Sequence, residues 1–218
     1  MHMKILALTD IHGSYDKMHA IIASHPEVDV IVLGGDVTTY GTPEEITGAI
    51  NQAKRSGKTV LAVCGNMDPP DLEPALVSVG ISLNGRGVVF NGVGFFGVSA
   101  CPFSPLHTPN EISEDEVMRR SEAGWKDVGS AKWKVFVPHT PPVNTKLDRI
   151  VSGKNVGSTS IRAFIEKHQP DVTICGHIHE SHGTDTIGRT QIVNCGSASQ
   201  GRYVLVEIGE KVVIQTKP

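Results

Sequence analysis

Five short segments of this sequence carry side chains able to hold a divalent cation: Asp10-Ile11-His12, Gly34-Gly35-Asp36, Gly65-Asn66-Met67-Asp68, Pro138-His139 and Gly176-His177-Ile178-His179. Carboxylate, imidazole and amide donors without thiolate suit hard or borderline ions such as manganese, iron, zinc or magnesium, and nickel falls in the same range. The set Asp10, His12, Asp36, Asn66, His139, His177 and His179 outnumbers the four ligands of a structural zinc. Two ions roughly 3.5 to 4 Å apart serve in-line displacement at phosphorus, because together they stabilise the attacking and the leaving oxygen.

Singly, each motif has an ordinary explanation. An Asp after a strand is commonly a helix cap or a turn former, and a lone His139 would pass for a hydrogen-bonded loop residue. Spacing shifts the balance for two segments. In extended chain, residues two apart point to one side, so Asp10 can converge with His12, and His177 with His179, while Ile11 and Ile178 turn towards the core. Glycines at 34, 35, 65 and 176 fit backbone that bends sharply beside a crowded centre, and they fit plain turn chemistry equally well.

Each segment follows an apolar run that reads as a strand. The first half alternates strand and helix: a strand at 4–9, a helix at 14–24 with Met18, Ile21 and Ile22 on one face, and a strand at 28–33. The next helix opens with Thr42 at the N-cap, Pro43 at the first helical position and Glu45 completing a capping box, and it ends before Gly57. A strand at 59–64 follows. Such alternation implies right-handed crossovers and parallel strands, whose carboxyl ends gather the functional loops. After Gly80 the pattern turns to a hairpin, 88–90 and 93–98 about Asn91-Gly92. A Pro-rich loop, a second capping box at Ser113 to Glu116 and a helix to about Trp125 come next. A strand at 134–137, a helix at 158–168 and strands at 172–175, 190–193, 203–208 and 211–215 complete the chain. The expectation is one α/β domain spanning 1–218, with two mixed sheets face to face and helices outside.

With 218 residues, 39% hydrophobic and 20% charged, the composition is that of an ordinary globular protein. The net charge of -3 gives no general basic surplus for nucleic acid or anionic lipid. The run from Met1 into Ile5 to Leu8 is too short and too soon polar for a signal peptide or membrane span, which predicts a cytoplasmic protein. Cys64, Cys101, Cys175 and Cys195 form no C-x-x-C pair and read as small apolar residues.

The ordered motifs Asp10-x-His12, Gly35-Asp36, Gly65-Asn66-x-Asp68, His139 and Gly176-His177-x-His179 resemble those of the calcineurin-like metallophosphoesterases and span nearly the whole chain. The resemblance implies a four-layer α/β/β/α sandwich. It implies one metal bound by Asp10, His12 and His179, a second by Asn66, His139 and His177, and Asp36 bridging both. A hydroxide between the ions would be the nucleophile, Asn66 would also touch the substrate phosphate, and the catalytic residues would be Asn66, Asp68 and His139. The expected partner is a small phosphoester, with no membrane involved and no strong signal for nucleic acid.

One departure matters. Many family members carry a His where this chain has Met67, and that His helps protonate the leaving group; Met transfers no proton. The compact chain and this departure make it similar to the small bacterial and archaeal phosphodiesterases of the superfamily. Without the His, Asp68 has two readings, a hydrogen bond to another loop or the start of the next helix. His107 and His182 are candidate rim donors, and Lys146 or Arg149 candidate phosphate contacts, each with a solvated-loop alternative. Trp125, Trp133, Phe95 and Phe96 read as core. Other readings of the same fold are a phosphomonoesterase, a nuclease, and a non-catalytic interaction scaffold of the kind that has lost part of its ligand set.

Overall fold

The computed structural model describes residues 2–218; Met1, where the stretch read as no signal peptide begins, lies outside them. Along the chain run β1 (Met3–Leu8), α1 (Tyr15–Ala23), β2 (Val30–Gly34), α2 (Pro43–Lys54), β3 (Thr59–Val63) and α3 (Leu72–Ser78). Then come β4 (Gly87–Phe90), β5 (Val93–Val98), the short β6 (Cys101–Pro102) and β7 (Glu111–Ile112), α4 (Glu114–Asp127), β8 (Trp133–Pro138) and α5 (Thr159–His168). The last are β9 (Val172–Cys175), β10 (Gly183–Ile187), β11 (Thr190–Asn194), β12 (Tyr203–Ile208) and β13 (Val212–Lys217).

One sheet has the order β13-β12-β1-β2-β3, the other β10-β11-β9-β8-β5-β4. Strands β1, β2 and β3 are parallel, as are β5, β8, β9 and β11, and the antiparallel strands sit at the edges. Alternation along each strand divides its side chains between two cores. On β1, Ile5 and Ala7 face the second sheet, where they share one cluster with Phe95, Val135, Val137, Ile174 and Val193. Leu6 and Leu8 point the other way, against Met18 and Ile22 of α1 and Ile46 and Ile50 of α2. On the far side of the second sheet, Phe96 and Phe136 stack at 4.8 Å between ring centroids and meet Phe164 of α5 and Trp125 of α4. The expected helix, sheet, sheet, helix layering is the observed one.

Only the N-cap half of each expected capping box is present, with Thr42 accepting from Glu45 N and Ser113 from Glu116 N, while the Glu116 carboxylate is taken by Arg119 and Arg120 instead of the Ser113 amide. The sequence reading gave α3 no bounds, offering a helix there only as one alternative for Asp68, and it omitted the two-residue β6 and β7, and β10, whose half-polar stretch Gly-Thr-Asp-Thr-Ile lies on a sheet edge. Trp125, Trp133, Phe95 and Phe96 belong to hydrophobic clusters, and all four cysteines are buried and unpaired. Among the described residues no helix is long and apolar enough to cross a membrane.

The two helices on the second sheet are joined by a charge. Glu114 in the first turn of α4 accepts from Thr159 N at 2.9 Å, Ser160 N at 3.0 Å and Ser158 Oγ at 2.6 Å, so it covers orphan donors at the start of α5. Burial alone would raise the Glu114 carboxyl, but these hydrogen bonds outweigh it and hold the group below its ordinary 4.5. A depressed carboxylate stabilises the fold above its unfolded pKa, and the contribution is lost as pH falls through the folded value. Glu114→Ala is expected to cost about 1 to 2 kcal/mol at neutral pH. In denaturant titrations the gap between native and variant should narrow once pH drops below about 4.5; a pH-independent gap would contradict the ionic role.

Candidate metal centre

All five motif segments lie at the carboxyl ends of parallel strands β1, β2, β3, β8 and β9, so both sheets deliver their loops to one edge. Backbone hydrogen bonds splice the loops together. Asp10 N donates to Gly35 O, and Ile11 N and His12 N both donate to Asp36 O, at 2.8 to 2.9 Å. Gly176 N donates to His139 O at 2.9 Å, and His177 N to the Asp10 carboxylate at 3.0 Å.

Two clusters of possible ligand atoms result, Asp10 with His12 and His179, and Asp36 with His139 and His177, the atoms of each lying within 4.8 Å of one another. Asn66 joins the second, its Oδ1 3.0 Å from His139 Nε2. Asp36 reaches towards both, with Oδ2 3.5 Å from His139 Nε2 and 3.9 Å from His12 Nε2. The structure therefore brings together all seven residues that the sequence singled out.

The means of convergence differs from the expected one. Asp10, His12 and His177 are not extended: their φ angles are 55°, 48° and 68°, and Asp36 has 49°. These pairs meet because the chain bends through the left-handed region, not because alternate residues of a strand share a side. Asp and His tolerate that region better than bulkier residues, yet it still costs energy, and such strain gathers at functional sites.

The imidazoles are oriented from behind. His139 Nδ1 donates to Gly34 O at 2.9 Å, and His12 Nδ1 pairs with Thr39 Oγ1 at 2.8 Å, which turns each Nε2 towards the centre. Asp10 and His139 are fully enclosed and Asp36 nearly so. Burial alone would raise the Asp10 carboxyl, but the His179 hydrogen bond and the charges on His139 and His179 bring it down to about 2. Burial would lower His139, yet the Asp36 carboxylate beside it pushes it up to about 9. His177 falls to about 4 through burial and the charge on His139, whereas the hydrogen bond to Asp10 raises His179. Buried carboxylates here call for positive charge, which a divalent cation supplies better than a proton. These donors fit such ions, and loading them must displace a proton from His139.

Close packing explains the glycines. A Cβ on Gly35, whose φ is +101°, would stand 2.5 Å from His139 Nδ1. On Gly65 it would collide with Asp36, and on Gly176 with Asp10, so these two leave room rather than turn the chain.

Asp68 makes its hydrogen bonds to the backbone of two neighbouring loops. It is buried, and its carboxylate accepts from Val37 N at 3.2 Å, Thr38 N at 2.9 Å and Gly65 N at 2.8 Å, which ties the Asp36 loop to the Asn66 loop. Burial and the charge on Asp36 raise it to about 6 against the pull of these amides. The loop-anchor alternative is the one realised, and the carboxylate has no free oxygen with which to orient an imidazole at position 67. Met67 is half-buried, and its backbone N donates to Asp36 Oδ1 at 2.7 Å. Lys146 and Arg149 are not brought to the ligands: Lys146 lines a surface hollow with Asp185, Gln191 and Ile214, and Arg149 Nε donates to Gly153 O. His107 and His182 are exposed on their loops.

Three supporting residues escaped the sequence reading. Buried Asn194 donates through Nδ2 to Ile178 O and Leu147 O, Ser197 Oγ donates to Asp10 O, and Asn110 donates to Gly65 O and, through its backbone, to Asn66 O. Each is a polar residue at a strand end or in a loop, and no spacing rule distinguishes it from a turn former.

The family model described as calcineurin-like phosphoesterase matches residues 3–181. An uncharacterized protein of Methanocaldococcus jannaschii is 32% identical over 197 residues, 88% of each chain. Among solved structures, TT1561 of Thermus thermophilus superposes with a TM-score of 0.77 at 18% identity, covering 100% of this chain and 99% of that one. An archaeal phosphodiesterase gives 0.56 at 14% identity over 99% and 100% of the two chains. A 5'-nucleotidase from Candida albicans gives 0.62 at 11% identity over 98% of this chain and 50% of its own. At such identities these likenesses establish the fold. With the family model covering most of its length, the chain belongs to the calcineurin-like phosphoesterase family.

Proposed function

We propose that this chain hydrolyses phosphodiesters at a site holding two divalent cations, manganese among the more effective. The observation that carries the reading is the pair of ligand groups with the Asp36 carboxylate between them. A bound pair of ions would supply Lewis-acid activation of water and neutralise charge on the phosphate. Asp10, His12 and His179 would hold one ion, and Asn66, His139 and His177 the other. Asn66 also offers an amide Nδ2 donor to a phosphate oxygen while its Oδ1 faces His139. The Gly34 and Thr39 contacts hold the imidazoles still, so little reorganisation accompanies the reaction. The complete ligand set favours this over the scaffold reading, and the net charge of -3 weighs against a nuclease.

The preference for diesters rests on Met67, which has no proton to give. Diesters with good leaving groups need little acid assistance, whereas alkyl monoesters lose the help of a general acid worth about 10²- to 10⁴-fold. Bis(p-nitrophenyl) phosphate is expected to exceed p-nitrophenyl phosphate in kcat/KM; since both release p-nitrophenolate, it is the alkyl monoesters, far behind, that report the missing acid. Met67→His should raise activity on poor leaving groups more than on p-nitrophenyl esters. The gain should stay near or below the roughly 10²-fold low end of acid catalysis, because Asp68 is already engaged by three backbone amides. A panel of esters read by kcat/KM decides the matter, and a clear preference for alkyl monoesters in the native chain would overturn the diester reading.

A further inference from the structure

One segment late in the chain holds two of the three residues of the first ligand group. Strand β1 is paired with β12 only as far as Ala7, and beyond that point the turn 196–202 takes up the next carbonyls. Ala198 N donates to Thr9 O at 2.9 Å, while Ser197 Oγ at 2.8 Å and Ser199 N at 3.3 Å donate to Asp10 O. Thr9 Oγ1 returns a hydrogen bond to Gly196 O at 2.8 Å. A left-handed residue other than glycine persists only where its surroundings hold it, and Asp10, with its φ of 55°, is held here by its carbonyl. The same turn reaches His179: Arg202 Nη1 donates to His179 O at 3.1 Å. The half-buried Arg202 stem packs over Gly196, where a Cβ would stand 2.8 Å from Arg202 Cδ. Asp10 and His179, so held, meet at 3.0 Å between Oδ1 and Nε2. Among the described residues, the hydrogen bonds of this turn reach Asp10 and His179, and none reaches Asp36, Asn66, His139 or His177.

We propose that Ser197 and Arg202 are positioning residues for the first ligand group, and that they set its affinity for an ion without affecting the second group. The inference rests on the two-ion reading and deepens it. Both residues act through backbone carbonyls of ligand residues, and outer contacts that orient ligands are worth about 10- to 100-fold in metal affinity. The turn lies beyond residue 181, where the match to the family model ends. The two residues differ in a way the test can use. Ser197 is buried and neutral, whereas Arg202 brings a positive charge towards a cation site. That charge by itself would repel the ion, so the loss of its hydrogen bond and the loss of its charge predict opposite results.

Calorimetric titration of the full, chelator-stripped chain with manganese tests this in two backgrounds, each of which leaves one group intact: N66A removes a ligand of the second group, and H12A a ligand of the first. In N66A, adding S197A or R202M should raise the Kd of the remaining ion by about 10- to 100-fold, and R202K, which keeps a donor, should recover most of the loss. In H12A neither change should move Kd by more than about twofold. Equal weakening in both backgrounds, or no change in either, overturns the proposal, and so does a background that holds no ion by itself. Tighter binding in R202M would leave Arg202 only its repulsion and also overturns it. Unchanged manganese affinity with a raised KM for bis(p-nitrophenyl) phosphate would make Arg202 a substrate contact instead. If the native chain binds two ions and hydrolyses no ester, the phosphoesterase reading fails, and the two Kd series still decide the positioning role.

Discussion

Asp36→Asn should reduce bound metal from two ions per chain to less than one and lower kcat for a diester by about 10²- to 10³-fold or more. Asn keeps the shape of the side chain and can still accept from Met67 N through its own Oδ1, so the loop has no reason to unfold. What it removes is the negative charge lying between the two ligand groups, 3.5 Å from His139 Nε2 and 3.9 Å from His12 Nε2. Loss of several kcal/mol of metal-derived stabilisation corresponds to two or more decades in rate. Elemental analysis alongside initial rates checks both halves. A variant that keeps two ions and near-native activity would show that Asp36 serves neither group.

Asp68→Asn should damage stability instead. One carboxylate oxygen accepts from both Val37 N and Gly65 N, and the other from Thr38 N. An amide supplies only one acceptor, so its NH2 group must face at least one buried backbone N–H whichever way it turns. An unsatisfied buried donor costs about 1 to 3 kcal/mol, and removing a charge that burial and Asp36 already disfavour gives part of this back, leaving about 1 to 2 kcal/mol in all. For a chain of this size, that is a fall of roughly 2 to 8 °C in Tm. Slackening the joint between the Asp36 and Asn66 loops should also weaken metal binding by about 10- to 100-fold. A Tm within about a degree of the native value would contradict the clamp.

The contrast between these residues shows how far the sequence could be read. Asp10, His12, Asp36, Asn66, His139, His177 and His179 were legible because each ends an apolar strand, and parallel strands must deliver their carboxyl ends to one edge. The layers were legible for a similar reason: alternation along β1 leaves Ile5 and Leu6 on opposite faces, so helices must cover one side and a second sheet the other. Position 68 was different. An Asp before Pro69-Pro70 looks the same whether it starts a helix, orients an imidazole or gathers three amides, and only tertiary proximity to Val37 and Thr38 decides. Asn110 and Asn194 were hidden likewise, since their partners lie 45, 47 and 16 residues away. The left-handed turns at Asp10, His12 and His177 could not be foreseen from residue type, because Asp and His occupy extended backbone just as readily.

Metal content tests the central claim most directly. Purified chain is stripped with chelator, shown by circular dichroism to remain folded, reconstituted with manganese, zinc or iron, freed of excess ion and assayed by elemental analysis against protein concentration. The account predicts two divalent ions per chain, with proton release on loading as His139 gives up its proton. A folded chain that retains no ion after reconstitution with any of the three would contradict it.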